Sequence, residues 1–108
     1  MKNITLAIYL LVSINLYATD KTTCEGLFRS AIQNFYLENS CKFDKHLSSA
    51  IRKDFENKGC TKLFNDDDMK RLNSEVLGSS YKRMNEVGRE SFCKKSKEGY
   101  LELTKKYN

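Results

Sequence analysis

The chain contains no proline, and its five glycines are scattered rather than clustered. Nothing in its 108 residues therefore resembles a flexible linker or a repeat. Strict alternation of apolar and polar residues over the length of a strand is also absent, whereas apolar residues recur at steps of three and four. We therefore expect a single all-helical domain.

The chain also lacks the residue sets that most catalytic and metal sites need. His46 is the only histidine, so a serine or cysteine nucleophile has a single candidate base of the commonest type. No Gly-x-Ser-x-Gly, His-Glu-x-x-His or glycine-rich phosphate loop occurs, and no Cys-x-x-Cys pair offers zinc its usual ligand spacing. We therefore expect no enzymatic activity, no cofactor and no bound metal.

One acidic run could suggest a cation site, because Asp66, Asp67 and Asp68 are consecutive. It lacks the alternating spacing and the later glutamate of a calcium loop. At the start of a helix, the free N–H groups and the macrodipole stabilise such carboxylates. We therefore interpret the run as a helix start, with weak metal binding and an acidic contact surface as the alternatives.

No apolar run reaches the roughly 20 residues that a membrane-spanning helix needs. The apolar stretch at the N-terminus follows the positive charge of Lys2, covers residues 4–16 and ends near Ala18. This pattern is typical of a secretory signal with cleavage after Ala18. We expect residues 1–18 to be a signal peptide and residues 19–108 to form one secreted or periplasmic domain, a buried first helix being the alternative.

What the chain does contain is four cysteines, Cys24, Cys41, Cys60 and Cys93. An even number of cysteines in a short exported chain predicts a disulfide framework, because the extracytoplasmic space is oxidising. A domain of this size also has a marginal core, so covalent links contribute a large share of its stability.

The apolar spacing predicts four helices, over about residues 23–37, 42–57, 66–87 and 89–106. We expect Thr23 to cap the first helix, Gly59 to follow the second in a left-handed conformation, and Gly88 to end the third. The alternative is that Gly78 and Gly88 both lie inside one continuing helix, where a glycine allows close contact with a neighbouring helix. The inward faces drawn from this spacing include Phe35 in the first helix and Val87 in the third.

Short connections place consecutive helices antiparallel. Cys24 and Cys60 then lie at one end of the bundle, and Cys41 and Cys93 lie at the other. Of the three possible connectivities, we therefore predict Cys24–Cys60 and Cys41–Cys93. The expected fold is all-α, a small antiparallel bundle of about four helices stapled by two disulfides.

Positive charge is concentrated near the C-terminus. Residues 19–80 hold ten basic and ten acidic side chains, whereas residues 81–108 hold eight basic side chains and four glutamates. Such a surplus can attract an acidic protein, an anionic membrane surface or a polyanion, although glutamates at helical spacing also allow a merely solvated face. Tyrosine and arginine often contribute much of the binding free energy of protein–protein interfaces. The candidate partner-binding residues, if exposed, are Tyr81, Lys82, Arg83, Arg89, Lys94, Lys95, Lys97 and Tyr100.

These properties favour a small exported non-enzymatic protein that binds and neutralises another exported protein, such as an immunity protein or a hydrolase inhibitor. The predicted signal, four helices and two bridges are similar in architecture to the small helical periplasmic immunity proteins that protect bacteria against amidase toxins. No binding residue is carried over from that likeness. The alternatives are a secreted effector or toxin-like factor that acts on an anionic membrane or host surface through the basic C-terminal helix, and an envelope chaperone. Nucleic-acid binding is not expected, because no recognition motif accompanies the charge.

Overall fold

The computed structural model describes residues 20–107, so the predicted signal peptide and its cleavage position lie outside the described residues. Four α-helices account for most of this part of the chain: α1, Lys21–Cys41; α2, Leu47–Asn57; α3, Asp66–Val87; and α4, Arg89–Lys106. A short 3-10 helix, Cys60–Leu63, lies between α2 and α3. The described residues contain no β-strand, and the predicted all-α fold is confirmed. None of their helices is both long and apolar enough to cross a membrane.

The first helix begins earlier than the sequence predicts and ends later. Asp20 caps α1, because its carboxylate accepts a hydrogen bond of 2.7 Å from the backbone N–H of Thr23. The prediction that Thr23 is the N-cap is therefore wrong. A carboxylate at this position accepts a free N–H of the first turn, which makes Asp20 an effective cap.

The second helix begins five residues later than predicted, at Leu47 instead of Lys42. Lys42 and His46 both have left-handed backbones, with φ of 61° and 54°. Two such residues interrupt any helix, so residues 42–46 form a loop between α1 and α2. We call this segment the α1–α2 loop.

The acidic run lies at the start of α3, as predicted. Asn65 is the N-cap and accepts a hydrogen bond of 2.8 Å from the backbone N–H of Asp68, while the Asp68 carboxylate accepts one of 3.4 Å from the Asn65 N–H. This reciprocal pair is a capping box. Among residues 20–107, no group of three histidine, cysteine or acidic side chains is arranged to hold a metal ion.

Two glycines end helices where the sequence predicts. Gly59 follows α2 with φ of 74°, and its N–H donates a hydrogen bond to the carbonyl of Glu56. Gly88 alone separates α3 from α4, with φ of 84° and ψ of 151°. That combination is open almost only to glycine, so the break at Gly88 follows directly from its missing side chain.

The helices alternate in direction. α1 and α3 run parallel, and α2 and α3 both pack against α1 without packing against each other. Three contacts join α1 and α3 in the same order along both helices: Lys21 with Asp68 at 4.0 Å, Arg29 with Glu75 at 2.7 Å, and the Tyr36 hydroxyl with the Met84 sulfur at 3.6 Å. This arrangement leaves one face of α1 uncovered between α2 and α3.

One disulfide lies in the first of two core clusters and the other packs against the second, and both predicted pairs are confirmed. The Cys24–Cys60 bridge, with Cα atoms 5.4 Å apart, is fully buried in a cluster with Phe55, Phe64 and Leu72. The Cys41–Cys93 bridge, with Cα atoms 5.5 Å apart, packs against the second cluster. That cluster contains Leu37, Leu47, Ile51, Phe92 and Tyr100. One covalent link therefore holds each end of the bundle.

Two residues predicted to face inward are exposed instead. Val87 is 41% exposed because it is the last residue of α3, and residues 85–90 are all exposed. Phe35 is 57% exposed because neither α2 nor α3 covers its face of α1. The exposed face of α1 around Phe35 is the candidate functional site.

Candidate functional site

The exposed face of α1 forms the floor of a groove with a volume of about 680 Å³, which we call the α1 groove. Phe28, Ile32, Phe35 and Asn39 line this floor. Their spacing of three and four residues places them on one side of the helix. From Phe28 to Asn39 the floor is about 17 Å long, given a rise of about 1.5 Å per residue. Three of the four side chains are apolar, so the floor is mainly hydrophobic.

The two sides of the groove come from different helices. α2 contributes Ser49, Arg52 and Glu56, and the first turns of α3 contribute Met69 and Asn73. All of these except Met69 are exposed, so the groove has a polar, mixed-charge rim around an apolar floor. Such a distribution of polarity is characteristic of binding sites for proteins and for larger ligands.

Aromatic packing closes the end of the α1 groove at Phe28, which we call its lower end. The ring of Phe28 lies 5.6 Å from that of Phe55 and 6.5 Å from that of Phe64, measured between centroids. Phe55 and Phe64 are buried, 5% and 7% exposed, in the cluster that contains the Cys24–Cys60 bridge. The lower end of the floor is therefore rigidly supported.

The upper end is formed by the α1–α2 loop, which contributes Phe43, Asp44 and His46 to the lining. The loop is held by Tyr100 of α4, whose ring centroid lies 4.8 Å from that of Phe43. The Tyr100 hydroxyl also accepts a hydrogen bond of 3.1 Å from the backbone N–H of Lys45. A residue of α4 thus shapes the groove without lining it.

Glu38 connects this loop to α1 and α2. Its carboxylate accepts hydrogen bonds from the Ser48 hydroxyl, from the Ser48 backbone N–H at 3.3 Å and from the Tyr100 hydroxyl at 2.7 Å. His46, the residue before α2, makes no side-chain cap, so the carboxylate from α1 satisfies that helix terminus in its place. Burial, together with the hydrogen bond to Glu38, raises the pKa of Tyr100 above its ordinary value.

Tyr100 is therefore not a surface residue, which corrects its place among the candidate partner-binding residues. It is only 2% exposed. Its ring packs in the second core cluster, and Glu38 and Lys45 satisfy its hydroxyl. A buried tyrosine is stable in a core when its hydroxyl finds such partners.

The other seven candidate residues lie together around Gly88, in a segment that we call the basic elbow (residues 81–97). Tyr81 is 58% exposed. The basic side chains are all exposed, and none forms an ion pair with any residue that the structure describes: Lys82, Arg83, Arg89, Lys94, Lys95 and Lys97. None of the seven lines the α1 groove. The molecule therefore presents two separate candidate surfaces.

The α1 groove was not predicted from the sequence, although the pattern of α1 contains one sign of it. Phe28, Ile32, Phe35 and Tyr36 make the apolar stripe of α1 wide and aromatic. A stripe of that width exceeds what one neighbouring helix covers, but spacing alone does not show which part stays open.

No protein-family model, no curated protein and no solved structure matches the chain.

Proposed function

We propose that this protein is an exported, non-enzymatic binding protein that neutralises another exported protein, and that the α1 groove is its binding surface. The observation that carries the proposal is Phe35, which lies in the middle of an apolar floor and is 57% exposed. Large aromatic side chains at the centre of a patch with a polar rim supply much of the energy of protein–protein interfaces.

The shape of the groove favours one helix of the partner as the bound element. The floor of about 17 Å matches about three turns of an α-helix. A helix in the groove would pack on α1 between α2 and α3, in the space that a further helix of the bundle would occupy. Its apolar residues, at steps of three and four, would contact Phe28, Ile32 and Phe35, and its polar residues would face Arg52 and Glu56.

The scaffold supports tight binding because its groove is formed before the partner arrives. One disulfide lies at each end of the bundle, and the Glu38 hydrogen bonds hold the α1–α2 loop. A preformed site reduces the ordering cost of association. An immunity protein or a hydrolase inhibitor needs only such a surface, because covering the partner's active site or its substrate path suffices to neutralise it.

Two features support export. Disulfides persist in oxidising compartments, and residues 24–93 hold two of them. The N-terminal pattern of residues 1–18 is typical of a cleaved signal peptide. We therefore place the mature protein, from about residue 19, in the periplasm or the extracellular medium.

Photo-cross-linking tests the proposal at the residue that carries it. A photoreactive phenylalanine analogue replaces Phe35, and in the matched control it replaces Leu101, which is 38% exposed and lies outside the groove. We expect one exported protein to cross-link in the cells that make this chain, at position 35 only. Cross-linking to lipid, or equally at both positions, would contradict the proposal.

Binding and inhibition are then measured with the purified partner. We expect Phe35→Ser to weaken binding by at least about tenfold, the equivalent of about 1.4 kcal/mol. The matched variant Leu101→Ser should bind like the original protein. The partner's enzymatic or toxic activity should fall in proportion to the complex formed, and a complex that leaves this activity intact would overturn the neutralising role.

A further inference from the structure

The basic elbow carries the whole charge surplus of the domain. Residues 81–97 contain six basic side chains and two glutamates, a surplus of four. The other residues from position 19 onward contain twelve basic and twelve acidic side chains, so they are neutral in sum. We propose that the basic elbow binds the surface of membranes that contain anionic lipids.

The geometry at Gly88 concentrates this charge. Because a single residue joins α3 to α4, the last turns of one helix and the first turns of the other lie at the same end of the bundle. Lys82 and Arg83 lie in the last turns of α3 before Gly88, and Arg89 follows Gly88 directly. Cations grouped at one end of a small domain can reach a flat surface together.

The cations of the elbow are free to bind such a surface. Glu86 is placed four residues after Lys82, and Glu90 four residues before Lys94, so pairs within the helices are possible by spacing. Neither pair forms in the structure, whereas further along α4 Lys105 contacts Glu102 at 3.4 Å. The intrahelical pairing that would turn the elbow into an ordinary solvated face is thus absent from residues 81–97.

Exposed apolar side chains favour a lipid surface over a soluble polyanion. Tyr81 is 58% exposed beside Lys82, and Val87 is 41% exposed beside Gly88 and Arg89. Tyrosine is favoured at the boundary between lipid headgroups and acyl chains, where its ring is buried and its hydroxyl stays wet. A polysaccharide or polyphosphate chain offers no such apolar layer.

The two proposed surfaces are independent. No residue of the elbow lines the α1 groove, so a membrane-bound molecule would keep the groove available for a protein partner. The elbow would hold the protein at an anionic surface reversibly, because charge attraction with little apolar insertion gives peripheral binding.

Vesicle flotation tests the membrane proposal with the intact mature protein. We expect it to float with vesicles of phosphatidylcholine and phosphatidylglycerol but not with vesicles of phosphatidylcholine alone, and to be released by salt. The triple variant Lys82→Gln/Arg83→Gln/Arg89→Gln should bind about a hundredfold more weakly, as the loss of three cations near an anionic surface predicts. Thermal melting monitored by circular dichroism would show that the variant is folded.

The matched control removes the same charge elsewhere, in Lys53→Gln/Lys62→Gln/Lys70→Gln. These three lysines are exposed and form no ion pair within residues 20–107. The control should retain most of the vesicle binding. Equal losses in both triple variants would show that net charge alone is responsible and would overturn the role of the elbow.

Two further outcomes separate lipid from other partners. Tyr81→Ser should weaken vesicle binding but leave any binding to heparin unchanged, whereas binding to heparin without binding to vesicles would contradict the proposal. Phe35→Ser should bind vesicles like the original protein. A protein that does not bind vesicles would therefore contradict only the membrane proposal. A protein that binds no partner through the α1 groove would contradict only the proposed function.

Discussion

The hydroxyl of Tyr100 on α4 donates a hydrogen bond of 2.7 Å to the carboxylate of Glu38 on α1, across 62 residues of sequence. This contact joins the last helix to the first at the place where α2 begins, because Glu38 also accepts hydrogen bonds from Ser48. The same hydroxyl accepts a hydrogen bond from the Lys45 N–H in the α1–α2 loop, which forms the upper end of the α1 groove. A residue of α4 thus supports a site that lies on α1.

Removing this hydroxyl should loosen the upper end of the groove. Tyr100→Phe keeps the ring on Phe43 but leaves the Lys45 N–H and one hydrogen bond of Glu38 unsatisfied. We expect the free energy of unfolding in urea to fall by about 1–3 kcal/mol. Hydrogen exchange of residues 42–48 should rise more than that of the rest of the chain.

The matched control is Tyr81→Phe, because Tyr81 is exposed and its hydroxyl makes no hydrogen bond within residues 20–107. Its free energy of unfolding should change by less than about 0.5 kcal/mol. Equal effects of the two substitutions would contradict the structural role of the Tyr100 hydroxyl.

The two disulfides should differ in how readily they are reduced in the folded protein. Cys24 and Cys60 are fully buried, whereas Cys41 and Cys93 are only partly buried. Thiol–disulfide exchange requires access of the attacking thiolate, so dithiothreitol should reduce Cys41–Cys93 first. Alkylation followed by peptide mapping would identify the freed thiols, and earlier labelling of Cys24 or Cys60 would contradict the burial that we describe.

Each bridge should also carry a large share of the stability. The bridges join residues 36 and 52 positions apart. In the chain-entropy model, each would contribute about 4 kcal/mol, so Cys41→Ala/Cys93→Ala should lower the free energy of unfolding by that amount. Cys24→Ala/Cys60→Ala should cost more, because it also leaves space in a fully buried cluster.

The free energy of unfolding should fall at both low and high pH. The contact between Tyr107 and Asp54 contributes to both effects, because it joins a tyrosine that titrates at high pH to a carboxyl group that titrates at low pH. The Tyr107 hydroxyl donates a hydrogen bond of 2.9 Å to Asp54, which also accepts one from Lys58. The hydrogen bond from Lys58, with that from Tyr107, lowers the pKa of Asp54 below 3.8. Burial, with the hydrogen bond to Asp54, raises the pKa of Tyr107 above 10.0.

A group whose pKa differs between the folded and unfolded states makes the free energy of unfolding depend on pH. A lowered carboxylate pKa contributes stability that is present above 3.8 and is lost as the pH falls through the folded-state value. A raised tyrosine pKa contributes stability that is present below 10.0 and is lost as the pH rises. Urea unfolding across the pH range should therefore show two declining limbs.

Single substitutions show which residue causes the loss of stability at low pH and which causes the loss at high pH. Tyr107→Phe should reduce the alkaline decline and leave part of it, because the pKa of Tyr100 is also raised. Asp54→Asn should reduce the acid decline only in part, because hydrogen bonds from Thr23 and Arg29 also lower the pKa values of Asp20 and Glu75. An alkaline limb that Tyr107→Phe leaves unchanged would contradict our interpretation of this contact.

Features that depend on backbone geometry and chain order were predictable from the sequence. The disulfide pairs follow from the alternating directions of helices with short connections. A glycine inside a long apolar repeat favours a break, as at Gly88, but does not require one, because Gly78 lies inside α3. Both depend on constraints that act along the chain. No information about distant contacts was needed for either.

Features that depend on which distant side chain arrives at a position were not predictable. Phe43 has helical spacing from Leu47, yet it belongs to the loop between the left-handed residues Lys42 and His46, where it packs on Tyr100 of α4. Phe35 has the periodicity of a buried residue, but periodicity does not reveal that α2 and α3 fail to meet over it. The candidate site was missed for this reason, since it consists of the part of α1 that the bundle leaves open.

The joint between α3 and α4 provides a test in which one glycine is essential and another is not. Gly88 has φ of 84° and ψ of 151°, a conformation that costs a residue with a Cβ atom about 1–3 kcal/mol. Gly78 lies inside α3, and a Cβ atom added there would meet nothing within 4 Å.

We expect Gly88→Ala to lower the free energy of unfolding by about 1–3 kcal/mol. Gly78→Ala should raise it by about 0.5–1 kcal/mol, because alanine is the better helix former. Urea unfolding measures both changes, and a gain in stability for Gly88→Ala would show that α3 and α4 can join as one continuous helix, which the geometry at Gly88 excludes.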